Sequence, residues 1–108
     1  MIFLSTAEAL SKAISSNPGM LIYFYDDRCL PCVSLRPKVE SMVKEKFPKM
    51  ELVWVNAKDY PNLPAVWGVF ASPTILVFFE GKEFRRFSKF VSIAELEQAI
   101  QRYYAMVF

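Results

Sequence analysis

Two cysteines stand in the motif Cys29-Leu30-Pro31-Cys32, and the chain of 108 residues has no others. An apolar run precedes them and a helical pattern follows, so the turn between brings both sulfurs to a helix N-terminus. Thiolate, not thiol, is the nucleophile in exchange chemistry. A helix N-terminus or a nearby cation can lower a cysteine pKa from about 8.5 to roughly 3.5–7.5. Cys29 is expected at the edge of that helix, facing unpaired N–H groups and the positive end of the dipole. Arg28 is adjacent and is expected to add to the effect. Cys32 follows one turn along, in reach to displace a mixed disulfide. Pro31 suits a first helical turn, where its missing N–H costs nothing.

Other uses of the pair are weaker. A structural disulfide would close a very small loop and gain little chain entropy. Zinc wants about four ligands. The chain has no histidine and no third cysteine, so a metal would have to be shared between two copies. Cycling between dithiol and disulfide uses both sulfurs within one chain.

Composition narrows the field. The length fits one domain over residues 1–108. Apolar residues make up 54% and aromatics 16%, ample for a core. A net charge of +2 is too small to argue for nucleic acid. No apolar run approaches the roughly 20 residues of a membrane span. Residues 1–5 lack the charged start of a secretory leader. The chain is expected to begin near Met1 and to stay in the cytosol, where a close cysteine pair is catalytic or metal-binding more often than a permanent staple. No resident cofactor and no single-chain metal site is implied.

The elements that position the cysteines follow from periodicity. Residues 2–4 read as a short strand, and Ser5 with Glu8 as a capping box. Ala7, Leu10 and Ile14 recur at helical spacing, and Asn17-Pro18-Gly19 ends that helix. Residues 20–25 are unbroken apolar, as in a strand covered on both faces. Leu35, Val39, Met42, Val43 and Phe47 line the next helix, and Pro37 is expected to kink it. Residues 52–55 and 74–79 read as two more buried strands, with a short helix up to Trp67 between them. Glu80-Gly81-Lys82 reads as a hairpin turn into a basic edge strand over 83–90. Phe84, Phe87 and Phe90 break its alternation, which a bulge would reset. Ile93, Leu96, Ile100, Tyr103 and Val107 line a last helix. The order β-α-β-α-β-α-β-β-α implies an α/β fold, a mixed central sheet of about five strands with helices on both faces. Ligands in such sheets bind beyond the carboxyl ends of strands, where the Cys29 turn lies.

The chain resembles the thioredoxin superfamily over nearly its whole length. The residues that carry this are the strand Leu21-Ile22-Tyr23-Phe24-Tyr25, the Cys29-Leu30-Pro31-Cys32 motif, Pro37, and the run Ser72-Pro73-Thr74-Ile75-Leu76-Val77-Phe78-Phe79-Glu80-Gly81-Lys82. The resemblance implies the thioredoxin fold, with Cys29 attacking and Cys32 resolving. It implies a cis peptide between Ser72 and Pro73, in a loop that lies against the cysteines and pairs with an extended substrate. Arg28, Leu30, Pro31, Ser72 and Pro73 are then the substrate surface.

The departures from that family carry expectations too. The motif lacks the family's tryptophan and glycine beside the cysteines. Tyr23 aligns with a buried aspartate and Trp54 with its lysine partner, so both members of an ion pair are replaced together. Removing only one would strand a buried charge. Tyr23 is a poor base at neutral pH, so deprotonation of Cys32 is expected to be slow, or to rely on water or Asp26. The Ser72 hydroxyl is expected to donate to the Cys29 thiolate. With Arg28, that would make the couple less reducing than the roughly −270 mV of a typical thioredoxin. Lys89 or Phe90 stands where the family has glycine near the site, and Lys82, Arg85, Arg86 and Lys89 bias the surface toward acidic partners or keep an edge strand solvated. Tyr23, Trp54, Phe78 and Phe79 read as one aromatic cluster in the core. The apolar tail over 103–108 packs back on the sheet or forms a dimer contact.

The sequence therefore reads as a thiol–disulfide oxidoreductase, expected to be a monomer. It would act on protein or small-molecule disulfides, disulfide-containing proteins above all, with electrons from a reductase or a small thiol. The rivals are a binding or chaperone-like module of the same fold that turns over poorly, and a metal-bridged dimer.

Overall fold

The computed structural model describes residues 2–3 and 6–108. The elements are β1 (Ile2–Phe3), α1 (Ala7–Ser16), β2 (Gly19–Tyr25), α2 (Leu30–Lys46), β3 (Glu51–Asn56), α3 (Leu63–Val66), β4 (Thr74–Phe79), β5 (Lys82–Ser88) and α4 (Ile93–Val107). They form one mixed sheet in the order β1-β3-β2-β4-β5. β1 and β2 run parallel to β3, and β4 is antiparallel to β2 and to β5. Residue 4 of the expected first strand and the Ser5 cap lie outside the described residues. The cap observed on α1 is Thr6, whose hydroxyl oxygen accepts from the Ala9 N–H at 3.1 Å.

β2, β3 and β4 are apolar throughout because both faces are covered. Successive side chains alternate between faces. Leu21, Tyr23, Tyr25, Trp54, Ile75, Val77 and Phe79 meet Val39 and Val43 of α2 and Leu96 and Ile100 of α4. Met20, Ile22, Phe24, Val53, Val55, Leu76 and Phe78 meet Leu10 and Ile14 of α1 and Leu63 of α3. Each fully buried aliphatic side chain stabilises the fold by about 1.5–3 kcal/mol. The expected single aromatic cluster is thereby split. Phe78 faces α1, while its strand neighbour Phe79 joins Tyr23 and Trp54 on the α2 side.

β5 stops at Ser88 rather than at 90. The β4–β5 register shifts between Val77 and Phe78, the bulge anticipated from the phenylalanine spacing. It lets Phe84 and Phe87 both pack on the α2/α4 core, while Phe90, past the strand, is 97% exposed. Glu80 and Gly81 both hold positive φ, 52° and 80°, as a two-residue hairpin requires. Gly19 is needed for a different reason. A Cβ there would lie 2.6 Å from Met50 Sδ and 2.8 Å from Phe108 Cε2. Tyr103, Tyr104, Val107 and Phe108 pack back against the core, as one reading of the tail expected. Among the described residues, no helix is long and apolar enough to cross a membrane.

Candidate dithiol site

The chain leaves β2 at Tyr25 and turns tightly, with the Cys29 N–H donating to the Asp26 carbonyl at 2.9 Å. Cys29 is the N-cap of α2, with extended backbone (φ −91°, ψ 108°). Its Sγ accepts from the Cys32 N–H at 3.3 Å. One of the helix's unpaired N-terminal amides therefore points at sulfur, where an oxygen cap usually sits. Pro31 occupies the first turn, and α2 continues through Pro37. Both cysteines are free thiols, with Cys32 only 1% exposed and Cys29 partly exposed. Burial, followed by its hydrogen bond with Cys29, pushes the Cys32 thiol up to about 12.

The loop before β4 closes the site. The Ser72–Pro73 peptide is cis, and Pro73 is buried. It is the Ser72 carbonyl that faces Cys29, 3.8 Å from Sγ; the expected hydroxyl contact is not the one made. The Pro73 carbonyl accepts from the Lys89 N–H at 2.8 Å, which ties this loop to the end of β5. Leu30 and Pro31 stand out into solvent, Leu30 at 79% exposure.

Arg28 also departs from expectation. Its guanidinium holds the Asp26 carboxylate at 2.7 and 3.0 Å, and its backbone N–H donates to the same carboxylate at 2.9 Å. The cation expected to act on Cys29 is thus paired two residues back along the chain. Hydrogen bonds from the Arg28 side chain and then its backbone hold the Asp26 carboxyl down at about 2. Both grounds for an unusually oxidising couple, the Ser72 hydroxyl and a free Arg28, are therefore missing from the geometry.

Beneath the cysteines, Tyr23 and Trp54 sit opposite each other in the β2–β3 register. Their rings meet edge to face with centroids 5.0 Å apart, and both are fully buried. The Tyr23 hydroxyl donates to the Cys32 carbonyl at 2.8 Å. Burial, then the charges of Cys32 and Cys29, raise the Tyr23 phenol well above its ordinary value. Arg36, one turn after Cys32, lays its guanidinium 4.8 Å over Trp54 and 5.0 Å over Tyr25.

Two supports were not singled out in the sequence. Asn56, at the end of β3, donates through Nδ2 to Asp27 at 2.8 Å and Asp59 at 3.1 Å. Its Oδ1 accepts from the Lys58 N–H at 3.1 Å. The signal was available, since a lone amide closes the apolar run 52–55. Arg36 is the other, a cation inside the stripe of α2.

The family model described as Thioredoxin matches residues 1–102. The thioredoxin-like protein YdfQ of Bacillus subtilis is 29% identical over 106 residues, 98% of this chain and 94% of that protein. A thioredoxin of Rickettsia felis is 29% identical over 72 residues, 67% of this chain and 69% of that protein. The X-ray structure of Fasciola hepatica thioredoxin is 33% identical, covers 94% of this chain and 98% of its own, and superimposes with a TM-score of 0.84.

Proposed function

The chain belongs to the thioredoxin family and is a thiol–disulfide oxidoreductase, and from that premise we propose that Cys29 is its attacking sulfur and Cys32 its resolving one. The observation that carries the assignment is the Cys32 N–H held 3.3 Å from Cys29 Sγ at the start of α2.

The Cys29 thiolate attacks one sulfur of a substrate disulfide. A bond forms between Cys29 and that sulfur, and the other substrate sulfur leaves as thiolate and takes a proton. Cys32 then loses its proton and attacks Cys29. The Cys29–Cys32 disulfide forms, and the second substrate thiol departs. The substrate has gained two electrons and the protein has lost two, which a reductase or a small thiol must return. Ser72 and Pro73 supply backbone against which an extended substrate lies, with Leu30, Pro31 and Arg28 at its edge. Thioredoxins act on disulfide substrates in this way; the substrates proposed for this chain are disulfide-bearing proteins. It works as a single domain, as a monomer, in a reducing compartment such as the cytosol.

Trapping tests the assignment. Cys32→Ser should accumulate mixed disulfides through Cys29 that dithiothreitol releases, and Cys29→Ser should form none. The wild type with an electron donor should reduce a protein disulfide over many cycles. Stable adducts on Cys32 in the Cys29→Ser variant, or a Cys29→Ser variant that still turns over, would reverse or remove the roles.

A further inference from the structure

Beside the cysteines lies an open groove of about 530 Å³, between the first half of α2 and the segment that joins β5 to α4. Pro31, Leu35, Lys38, Pro73, Lys89 and Phe90 are among its walls. It adjoins the reacting sulfur, because Pro31 lies within the cysteine motif and Pro73 follows the carbonyl that Cys29 touches. Resting on the dithiol reading above, we propose that this groove selects its substrate: an extended polypeptide segment carrying an acidic residue and a bulky apolar residue beside its disulfide cysteine.

Charge supplies the first argument. Lys38 and Lys89 stand on opposite walls, with Glu95 the single carboxylate of the groove, a balance of two cations against one anion. Among the described residues neither lysine is in an ion pair. Backbone supplies the second. Lys89 holds φ at 64°, a left-handed conformation that glycine adopts freely and other residues adopt only under strain. The position thus carries an ammonium where the backbone alone favours no side chain. Its N–H bond to the Pro73 carbonyl ties the Lys89 backbone, from which that side chain springs, to the loop beside Cys29. Exposed apolar surface supplies the third. Phe90 is 97% exposed and Leu30 79%, one on the groove wall and one between the cysteines. A small polar disulfide would leave both in water, whereas an apolar side chain next to the substrate cysteine covers them. Arg86, basic in sequence, is not part of this surface: it is bonded to Glu83 and to the carbonyls of Trp67 and Gly68.

Competing peptides test the proposal on the full-length protein. Two disulfide-linked peptides of one length carry Asp and Leu beside the cysteine in one case and Lys and Ser in the other. The wild type should reduce the Asp–Leu peptide with a kcat/KM about tenfold higher, from an exposed charge contact and one apolar contact together. Salt near 1 M should remove the part due to charge, about two- to fivefold. Lys89→Gly suits the backbone already present and should erase that same part. Lys89→Glu should turn it toward the Lys peptide, and Phe90→Ala should lose most of the apolar part. Equal kcat/KM for the two peptides in the wild type, or a preference that Lys89→Gly and Phe90→Ala leave untouched, would overturn the groove's role while the dithiol assignment stands. Failure to reduce either peptide would overturn both.

Discussion

The Tyr23 hydroxyl donates to the Cys32 carbonyl across 2.8 Å, entirely within the core. This bond joins the central strand to the first turn of the cysteine helix. It does so at the position that aligns with the buried aspartate of thioredoxins. The tyrosine holds the turn in place and offers no base, because its raised phenol keeps its proton. Replacing Tyr23 with Phe removes the hydroxyl and keeps the ring against Trp54. A buried neutral hydrogen bond contributes about 0.5–1.5 kcal/mol. Urea unfolding of the reduced protein should show a loss of that size with an unchanged slope. A loss beyond about 3 kcal/mol would show that the ring's packing had been disturbed as well.

The resolving step should depend steeply on pH. Burial is the first cause of the high Cys32 value of about 12, and it persists when Cys29 is tied up in a mixed disulfide. Asp26, the nearest acidic candidate considered from the sequence, is held at about 2 by Arg28 and cannot take a proton from such a thiol. Hydroxide must do so. In single-turnover experiments the second phase should quicken about tenfold per pH unit between roughly pH 6 and 9, following the thiolate fraction. A second phase that is flat across that interval would require a base near Cys32.

The reduced protein should lose stability in alkali, and the order of events is set by sign. Cys32 and Tyr23 are both raised in the folded state, from 9.0 to about 12 for the thiol and upward from 10.0 for the phenol. Their protonated forms are favoured by folding. Their contribution is complete below pH 9.0 and falls as pH rises from there toward the folded values, because the unfolded chain ionises first. Thermal midpoints of the reduced protein should therefore fall from pH 9 upward. Cys32→Ser should delay the fall by about one pH unit, to the onset of tyrosine ionisation. Identical curves for the two proteins would mean that the thiol is not held protonated by the fold.

Much of this architecture was legible in the residues. The unbroken runs 20–25, 52–55 and 74–79 could only be strands covered on both sides, and the spacing of Phe84, Phe87 and Phe90 announced the bulge. Side-chain choices within one or two residues were less legible. Ser5 and Thr6 both satisfy a cap by type, and only the backbone says where the helix begins. Ser72 offers a hydroxyl and a carbonyl, and loop geometry decides which meets sulfur. Arg28 has a cysteine on one side and Asp26 two residues away on the other. A carboxylate reached by the main-chain N–H and the guanidinium at once wins over a thiol. Phe78 and Phe79 are neighbours in a strand and so face apart, which puts Phe79 with Tyr23 and Trp54 and Phe78 against α1.

Asn56 should prove a support of the cysteine turn. Its amide draws Asp27 from the turn and Asp59 from the following loop to one point. Asn56→Ala leaves those carboxylates facing each other without a donor between them. Both carboxylates are exposed, so water replaces the amide and the loss is about 0.5–1.5 kcal/mol, and the opening should be local. Hydrogen exchange at the Cys29 amide, which is bonded to the Asp26 carbonyl, should accelerate more than exchange in β4. Uniform acceleration would show that Asn56 stabilises the fold as a whole and has no special hold on the turn.

The Arg28–Asp26 pair should set the redox potential by cancellation. With both present, the guanidinium and the carboxylate offset each other at the rim of the site. Asp26→Asn leaves the cation alone at the rim of the dithiol site. A lone cation favours thiolate there, and thiolate belongs to the reduced form. Stabilising the reduced form makes the couple more oxidising, so the potential should rise, by about 5–20 mV for charges this exposed. Arg28→Ala leaves the carboxylate alone, and the potential should fall by a similar amount. The double variant should return to within about 5 mV of the wild type, since each single change only uncovers its partner's charge. Equilibration with a thiol buffer measures all four. Two single variants that shift in the same direction would show that the pair acts through the shape of the turn, with charge secondary.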